Sequence, residues 1–387
     1  MGDLYRVTAE FRACAYDSHM VAHGLSGERS NLLRRSLEVA LFVVLPVVVL
    51  LPFLMQAYRQ GILGIDLEQT LLPAARAIAR GDSPYPAYGY PPLVAFGLMP
   101  LVVLPGPNIV FAALLIACVP ASLWFLGVRD WRCFGICFLW ASVLSAVQTG
   151  NVTILLLLAT AICWYGRDRW KMASVGGGLA VAAKIICWPL VVWLGATRRW
   201  TAAIGVVAVS AGVTIILWAL LGFSGLLDYP SSLGTLDRAV SAESYTVKAL
   251  FLDLSTGVGL ARLAGILVAL GVLAGSIVLG RRGDDRRSFA LAVTAMIVAS
   301  PIVWLHSFAL LLAPVAVLRP RLSAAWLLPV LMVIGTGTGN GTAWQTAGVL
   351  GIAALTLVIA LLPPGGSGPV APVAVPGQLL PPLPPAP

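Results

Sequence analysis

The sequence predicts an all-α polytopic membrane protein, and three observations support this class. Hydrophobic residues make up 59% of the chain and charged residues only 11%, and the mean hydropathy is +0.92. Because an ordinary soluble domain carries about 25% charged residues, this chain cannot cover itself with a wetted surface. Apolar runs also recur from one end of the chain to the other, and many approach the roughly 20 residues that an α-helix needs to cross the hydrocarbon.

The apolar runs give the order of the elements. The long ones predict membrane-spanning helices, and the short ones predict half-helices or re-entrant pieces, so we expect roughly 11–13 transmembrane or re-entrant helices over residues 37–362. The polar residues 1–36 precede this domain as a cytoplasmic segment, and the Pro-rich residues 363–387 follow it as a tail that its composition predicts to be disordered. The runs lie at residues 37–57, 91–105, 109–128, 132–148, 151–166, 172–195, 201–222, 258–280, 288–305, 306–319, 322–338 and 343–362.

Clusters of basic residues indicate the orientation of these segments. By the positive-inside rule such clusters face the cytoplasm, and the formal net charge of +9 is then a topology signal that calls for no nucleic-acid partner. The clusters are Arg29/Arg34/Arg35, Arg129/Arg132, Arg167/Arg169/Lys171, Arg198/Arg199, Arg281/Arg282/Arg286/Arg287 and Arg319/Arg321.

Two segments do not fit a simple succession of crossings. For both of its flanking clusters to be cytoplasmic, segment 172–195 must enter the membrane and return, with its turn near Lys184 to Pro189. One of the pair 91–105 and 109–128 likewise cannot span fully. Because broken backbone is tolerated at membrane depth only where it lines a cavity or is buried in protein, we expect both segments to form walls of a site.

The same orientation gathers the unexplained polar residues on the outer side, which predicts an external active site. There, Asp66 follows the first long apolar run and opens a short amphipathic segment in a polar, proline-closed loop. An acidic residue at a membrane surface suits an enzyme that acts on lipids. The outer parts of the chain are 58–91, 148–151, 223–250, the region of Trp304 and His306, and 336–343.

Four motifs, in their order along the chain, resemble glycosyltransferase family 87 over roughly residues 37–362. Proteins of this family are GT-C-fold enzymes of actinobacteria and their relatives that use polyprenyl-phosphate sugars. The motifs are Asp66 with ARGDSPY (Gly81, Tyr85), Tyr90-Pro91-Pro92 and LMPLVVLP; QTGN (Gln148, Asn151); GGGLAVAAKIICWPL (Lys184, Pro189) followed by TRRW; and SPIVWLHSFALLLAP (Trp304, His306). Residues 241–245 match the family's outer-loop pattern only loosely.

The resemblance implies a GT-C-like bundle in the plasma membrane with its active site facing outside. Asp66 matches the outer-loop aspartate that acts as the catalytic base, and His306 matches a histidine near the site. The partners implied are a polyprenyl-phosphate sugar donor, a glycolipid or lipoglycan acceptor and membrane lipids, without a cofactor. The resemblance favours mannose as the donor sugar and an α-mannoside product, and arabinofuranose is the alternative.

The residue types fit this chemistry. A carboxylate can take the proton of an attacking acceptor hydroxyl, and one carboxylate suffices for a direct, inverting displacement. The leaving lipid phosphate needs cations or hydrogen-bond donors, for which Lys184, Lys248, Arg238 and His306 are candidates. No cluster of carboxylates with metal-ligand spacing occurs in the outer segments, so we expect no metal. The other candidate substrate-binding residues are Asp82, Tyr85, Tyr90, Gln148, Asn151, Tyr245 and Trp304.

Structural interpretations of the same residues remain open at this point. Asp66 could cap the helix that follows it, Lys184 could extend to the membrane interface, and His306 could pack with a hydrogen bond to a neighbouring helix. Glu68 and Asp82 are alternative bases, and Tyr85, Tyr88, Tyr90 and Trp304 could form an interfacial aromatic belt. A lipid or sugar transporter would also have broken helices, but it should show inverted repeats, which this sequence lacks.

Overall fold

The computed structural model describes residues 31–240, 244–336 and 342–363, and this part of the chain is helical without a strand. The predicted all-α class is therefore confirmed. The expectations for the cytoplasmic segment 1–36 and for the tail 363–387 fall almost entirely outside the described residues, as do residues 241–243 of the outer loop.

Seventeen helices follow one another in the described residues, and several continue into short 3-10 or π turns. The first nine are α1 (Asn31–Arg59), α2 (Leu72–Ala79), α3 (Pro92–Leu98), α4 (Pro107–Phe125), α5 (Trp131–Ile136), α6 (Ala141–Thr149), α7 (Thr153–Tyr165), α8 (Trp170–Ala183) and α9 (Pro189–Ala196). The others are α10 (Trp200–Leu220), α11 (Tyr229–Val240), α12 (Val247–Asp253), α13 (Val258–Arg281), α14 (Asp285–Val298), α15 (Leu312–Leu318), α16 (Ala324–Leu327) and α17 (Ala343–Leu361).

Five of these helices, α1, α4, α10, α13 and α17, are long and apolar enough to cross a membrane. The pair α5 and α6, which meet at an angle of 69°, makes a sixth crossing if it counts as one broken span. The protein is therefore a polytopic membrane protein. The remaining apolar helices are shorter, with 10–17 residues each, and include both segments for which the sequence predicted an incomplete crossing.

One end of the bundle is held by charged groups, and we call it the basic end: the loops 126–130, 166–169, 197–199, 282–284 and 319–323. Asp130 accepts a hydrogen bond from the backbone N–H of Leu322 at 3.0 Å, and the Arg319 guanidinium donates to the carbonyl of Ile359 at 3.0 Å. Nearby, the Arg287 guanidinium donates to the carbonyl of Leu361 at 2.9 Å. These bonds bring basic clusters that are distant in sequence to the same side of the bundle.

The ends of segment 170–196 meet at this basic end. Asp168, just before α8, pairs with Arg199, just after α9, at 2.9 Å. The helix breaks between them at Lys184, whose extended backbone (φ −154°, ψ 116°) ends α8. The segment therefore enters and returns as the sequence predicted, with its turn beginning at Lys184. We call this segment the first hairpin.

Segment 285–318 forms a second hairpin of the same kind. Its two ends carry Arg287 and Arg319, which both donate to carbonyl groups at the end of α17. Its turn, residues 299–304, lies between α14 and the 3-10 helix Leu305–Leu311. Both turns lie at the end of the bundle opposite the basic end. We call it the loop end, and it also contains residues 60–91, 148–152, 221–240 and 244–257.

Segment 92–106 returns to the loop end as well. Pro91, before α3, lines a cavity there, and Asn108, at the start of α4, donates to the carbonyl of Leu63 at 3.4 Å. The 12 residues Pro92–Val103 are too few to cross the hydrocarbon. Of the predicted pair, α4 is therefore the spanning helix and α3 the incomplete one.

Small residues hold the first hairpin against α10. A Cβ atom on Gly177 would lie 2.7 Å from the Val206 side chain, and one on Gly178 would lie 2.6 Å from the Val209 side chain. Larger residues at these positions would push the two helices apart. The triple glycine thus fixes the position of α8 and, through it, of Lys184.

We predict that Asp285→Asn destabilises the protein by about 2 kcal/mol, since hydrogen bonds to charged groups contribute about 1.5–3 kcal/mol each. Asp285 accepts hydrogen bonds from Arg167, Arg199 and Trp193 at 2.9–3.1 Å, and its side chain is 24% exposed. Thermal unfolding of purified protein in detergent measures the effect.

Asp168→Asn is the matched control, because Asp168 also pairs with Arg199 but is 70% exposed. A surface ion pair contributes at most about 1 kcal/mol, so this variant should unfold close to the wild type. Equal unfolding temperatures for the two variants would contradict a special role of Asp285 in joining the hairpins.

Candidate functional site

Four separate parts of the chain meet around a cavity of about 370 Å³ at the loop end. Asp66 comes from the loop after α1, Asn151 from the turn between α6 and α7, and Lys184 from the first hairpin tip. The second hairpin contributes Trp304 from its tip and His306 from two residues further on. The sequence predicted all five as site residues, and the fold brings them to one place.

Helix α11 covers the cavity with one of its faces. Its residues Tyr229, Leu233, Leu236 and Val240 line the cavity, and their spacing of three to four places them on one side of a helix. Tyr229 also contacts the ring of Tyr85 edge-on, with 5.7 Å between centroids. The cavity is therefore polar at its base and apolar along this covering helix.

Asp66 is partly buried, and its carboxylate takes part in the site. Its Oδ2 accepts a hydrogen bond from Asn151 Nδ2 at 2.8 Å. Although it precedes the π turn Leu67–Leu71, its side chain accepts no hydrogen bond from that turn. The interpretation of Asp66 as a helix cap is therefore wrong.

Burial raises the pKa of the Asp66 carboxyl above its usual value. The hydrogen bond from Asn151 acts against this rise, and so does the positive charge of Lys184. A carboxylate with a raised pKa binds a proton more readily, which suits a group that must accept one during a reaction.

The loop that carries Asp66 packs tightly against the turn that carries Asn151. The backbone N–H of Gly64 donates to the carbonyl of Gln148 at 2.6 Å. Gly150 has a φ of +68°, and a Cβ atom there would lie 3.1 Å from the Gly64 Cα. A side chain at Gly150 would therefore force the two loops apart. Gln148 contributes to the site through its backbone, and its side chain does not line the cavity.

Lys184 and Tyr90 form the wall beside Asp66. The Lys184 ammonium lies 5.5 Å from the centroid of the Tyr90 ring, a cation–π distance. Both residues line the cavity. The positive charge of Lys184 is therefore available to an anionic group that enters the cavity.

The second hairpin tip is held in place by Tyr245. Its backbone N–H donates to the carbonyl of Val303 at 2.7 Å, and its hydroxyl donates to the carbonyl of Gly335 at 2.6 Å. His306, two residues after the tip, is 6% exposed. Within the described residues no neighbouring helix forms a hydrogen bond with its ring, so the interpretation of His306 as a packing residue finds no support.

A second cavity of about 310 Å³ adjoins the first one. Ser300 and Pro301 line both cavities. The second cavity lies between α12, α13 and the end of α14, and most of its wall is apolar, while Lys248 and Arg262 supply positive charge. Lys248, predicted for the same site as Asp66, therefore lies in the neighbouring cavity.

The other predicted residues lie outside both cavities. Arg238 is exposed on α11, where it donates to the Thr235 hydroxyl at 3.1 Å, and Asp82 pairs on the surface with Arg80 at 3.2 Å. Glu68, an alternative base, is exposed and lines neither cavity. Asp66 is therefore the carboxylate of the first cavity among the described residues.

Tyr85 and Tyr88 are packing residues rather than part of an interfacial belt. Tyr85 stacks on Trp218 of α10 with 4.5 Å between ring centroids, and its hydroxyl donates to the carbonyl of Tyr90 at 2.9 Å. Tyr88 is 2% exposed. Together they anchor the loop before α3 to α10, which positions Tyr90 at the cavity.

Two residues at the site were missed by the sequence analysis. Arg262 stands inside the apolar run of α13, and an ionisable residue in such a run is a signal of function. Thr153 donates hydrogen bonds to Asn151 Oδ1 from its backbone N–H at 3.0 Å and from its hydroxyl at 2.7 Å. The spacing Asn-x-Thr before a helix could have indicated this pair.

Comparison with known protein families gives one match. The model of glycosyltransferase family 87 matches residues 88–301, which is more than half of the chain. The match includes Asn151, Lys184 and the covering helix, while Asp66 and His306 lie outside it. Neither the curated proteins nor the solved structures give a significant match. With the family matched over this length, the family that the motifs suggested is confirmed, and the chain belongs to glycosyltransferase family 87.

Proposed function

We propose that this glycosyltransferase moves a mannosyl residue from a polyprenyl-phosphate donor to a glycolipid or lipoglycan acceptor at the outer face of the plasma membrane. Family membership makes it a glycosyltransferase. One observation supports the rest: a partly buried carboxylate, Asp66, and a positively charged side chain, Lys184, line the same cavity of a membrane-embedded bundle.

Asp66 is the general base in this proposal. The acceptor hydroxyl loses its proton to the Asp66 carboxylate while its oxygen forms a bond with the anomeric carbon of the donor sugar. The bond from that carbon to the phosphate oxygen breaks, and the lipid phosphate leaves with the electron pair. One base and a direct displacement invert the anomeric centre, since a retaining double displacement needs a second carboxylate as nucleophile.

Lys184 and His306 stabilise the leaving phosphate. Both line the cavity that contains Asp66. Lys184 supplies a positive charge and the neutral His306 ring an N–H donor, and in a site shielded from water such groups stabilise developing negative charge more strongly than in solution. The sugar of the donor then lies between this phosphate site and Asp66. Tyr90, Trp304 and the covering helix α11 enclose it, as part of a GT-C arrangement.

The second cavity suits the isoprenoid chain of the donor. Its wall is largely apolar, and it meets the first cavity at Ser300 and Pro301, beside the phosphate site. Arg262 and Lys248 lie where they attract the anionic head of a lipid towards the cavity. A lipid-linked donor also accounts for an external site, because the activated sugar reaches that face of the membrane on its lipid.

The orientation follows from the charges of the bundle. The basic end carries Arg167, Arg199, Arg287 and Arg319, and the positive-inside rule places such an end in the cytoplasm. The loop end, with Asp66 and both hairpin tips, then faces outside. The acceptor glycan approaches from that side, along the loop between Asp66 and Tyr90.

We predict that Asp66→Asn leaves the protein folded and membrane-inserted but lowers its turnover about 100- to 10,000-fold, because an amide cannot take the acceptor proton. Glu68→Gln is the control, since Glu68 lies two residues away, is exposed and lines neither cavity. Transfer from a labelled lipid donor measures both variants. Turnover close to wild type in a well-expressed Asp66→Asn protein would refute the role of Asp66 as base.

The donor sugar is tested with purified protein and matched polyprenyl-phosphate donors that carry mannose or arabinofuranose. We expect transfer of mannose, and we expect membranes of a deletion strain to accumulate an under-mannosylated acceptor that the restored gene extends. Transfer of arabinofuranose and not of mannose would contradict mannose as the donor sugar. It would not contradict the fold or the role of Asp66 as base.

We predict that Gly265→Leu weakens the binding of long-chain donors. Gly265 lines the second cavity, and a Cβ atom there would have only ordinary contacts, with Lys248 at 3.9 Å, so the added side chain should fill the cavity without disturbing the fold. The KM for a long-chain donor should rise about tenfold, which corresponds to roughly 1.4 kcal/mol. The KM for a donor with a short chain should change little.

Gly271→Leu on the same helix is the control for this variant. A Cβ atom at Gly271 meets no atom within 4 Å, and the residue lines neither cavity. An equal rise in KM for both variants, or for donors of both chain lengths, would show that the second cavity does not bind the lipid chain.

A further inference from the structure

The hydrogen bonds around Asn151 fix the direction in which its amide group points. An asparagine side chain can place its oxygen or its nitrogen towards a neighbour, and the hydrogen-bond partners decide which. Here both the backbone N–H and the hydroxyl of Thr153 donate to Asn151 Oδ1, at 3.0 Å and 2.7 Å. The amide nitrogen of Asn151 must therefore point the other way.

The nitrogen of Asn151 points to the proposed base. Nδ2 donates to Asp66 Oδ2 at 2.8 Å. Asn151 and Thr153 are each 2% exposed. The chain of hydrogen bonds thus runs from the first turn of α7 through Asn151 to Asp66, and it lies almost entirely out of solvent.

We propose that Asn151 and Thr153 are positioning residues, which hold the Asp66 carboxylate in the orientation that presents Oδ1 to the acceptor hydroxyl. This inference rests on the proposed role of Asp66 as base and names the residues that prepare it. With Oδ2 engaged by Asn151, the transferred proton passes to Oδ1. Thr153 lines neither cavity and acts on Asp66 through Asn151.

The backbone around this chain supports a positioning role. Gly150 follows the last residue of α6 and Thr153 begins α7, so Asn151 lies in a turn of only three residues between two helices. The close contact of Gly150 with Gly64 and Leu67 holds that turn against the loop of Asp66. A displacement of a reacting group by about 1 Å can lower the rate about 100-fold. Holding the turn of Asn151 against the loop of Asp66 therefore bears directly on the rate.

The same hydrogen bond affects the proton affinity of the base. Among the described residues, the charged or titratable groups that line the cavity with Asp66 are Lys184 on the first hairpin, His306 on the second, Tyr90 in the loop 60–91 and Tyr229 on α11. Asn151 favours the ionised carboxylate and so lowers the pKa of Asp66, against the rise that burial causes. Without a well-directed Asn151 amide, the pKa of Asp66 rises further.

The test compares Thr153→Val, Thr153→Ser and Asn151→Leu with the wild type over a range of pH. The base is active when ionised, so activity falls as the pH drops through the pKa of Asp66. We expect Thr153→Val to lower kcat about tenfold and Asn151→Leu about 100-fold. In both variants the acidic limb of the kcat profile should move to higher pH. Thr153→Ser keeps the hydroxyl, so its kcat and the acidic limb of its kcat profile should match those of the wild type.

Thr160→Val is the matched control. Thr160 lies on the same helix and is fully buried, and its hydroxyl has no hydrogen-bond partner among the residues that the structure describes. Loss of the Thr160 hydroxyl should leave kcat and its pH profile unchanged. A purely structural role of Thr153 would lower the yield of folded protein but would leave the acidic limb where it is.

The outcomes separate this inference from the function it rests on. An active Asp66→Asn protein would refute the base and the positioning chain together. An inactive Asp66→Asn protein with a Thr153→Val variant of unchanged kcat and unchanged acidic limb would refute the positioning chain alone. A Thr153→Ser variant as impaired as Thr153→Val would also overturn it, because the hydroxyl would then not be the group that matters.

Discussion

The ion pairs of Asp285 with Arg167 and Arg199 are the interaction on which the rest of the structure depends. They join the start of the second hairpin to both flanks of the first hairpin at the basic end. Each helical hairpin has a fixed length, because an α-helix rises about 1.5 Å per residue. When the ends of both hairpins are fixed together, both tips reach the loop end at a defined height. Lys184 and His306 meet there as a result.

The protein solves a difficulty that all enzymes inside a membrane share. Charged groups are costly in an apolar surrounding, and broken helices expose backbone groups that need partners. In this protein the helix breaks place Lys184 and the tip 299–304 at a cavity. The polar groups that line this cavity surround the charged side chains. The loop that carries Asp66 closes the cavity on the remaining side, and the turn at Gly150 holds this loop in place.

The sequence predicted much of this arrangement, for reasons that can be stated. Topology was predictable because arginine clusters and apolar runs report on the membrane directly, and the return at Lys184 followed from two flanking basic clusters. Asp66, Asn151, Lys184, Trp304 and His306 were singled out because they lie in the family motifs and because polar residues are rare in so apolar a chain, and all five line the first cavity. Helical segments were predicted in the right order, with ends that differ by a few residues.

The remaining features depend on contacts between distant parts of the chain, which one sequence does not display. Arg238 and Lys248 looked equivalent to Lys184, since all three were predicted to lie on the same side of the membrane. The fold instead leaves Arg238 exposed on the covering helix and places Lys248 at the second cavity. Tyr85 resembled an interfacial aromatic, but its partner Trp218 is more than a hundred residues away in the chain.

The shared wall at Ser300 and Pro301 has a consequence for how ligands influence one another. A group that fills one cavity presses on the same two residues that bound the other. If the wall shifts when one ligand binds, the affinity for the second ligand changes, and thermodynamics requires the effect to be equal in both directions. Under the proposed function, this wall couples the recognition of the lipid tail in the second cavity to the recognition of the sugar in the first. A substitution at Ser300 or Pro301 then alters both selectivities at once.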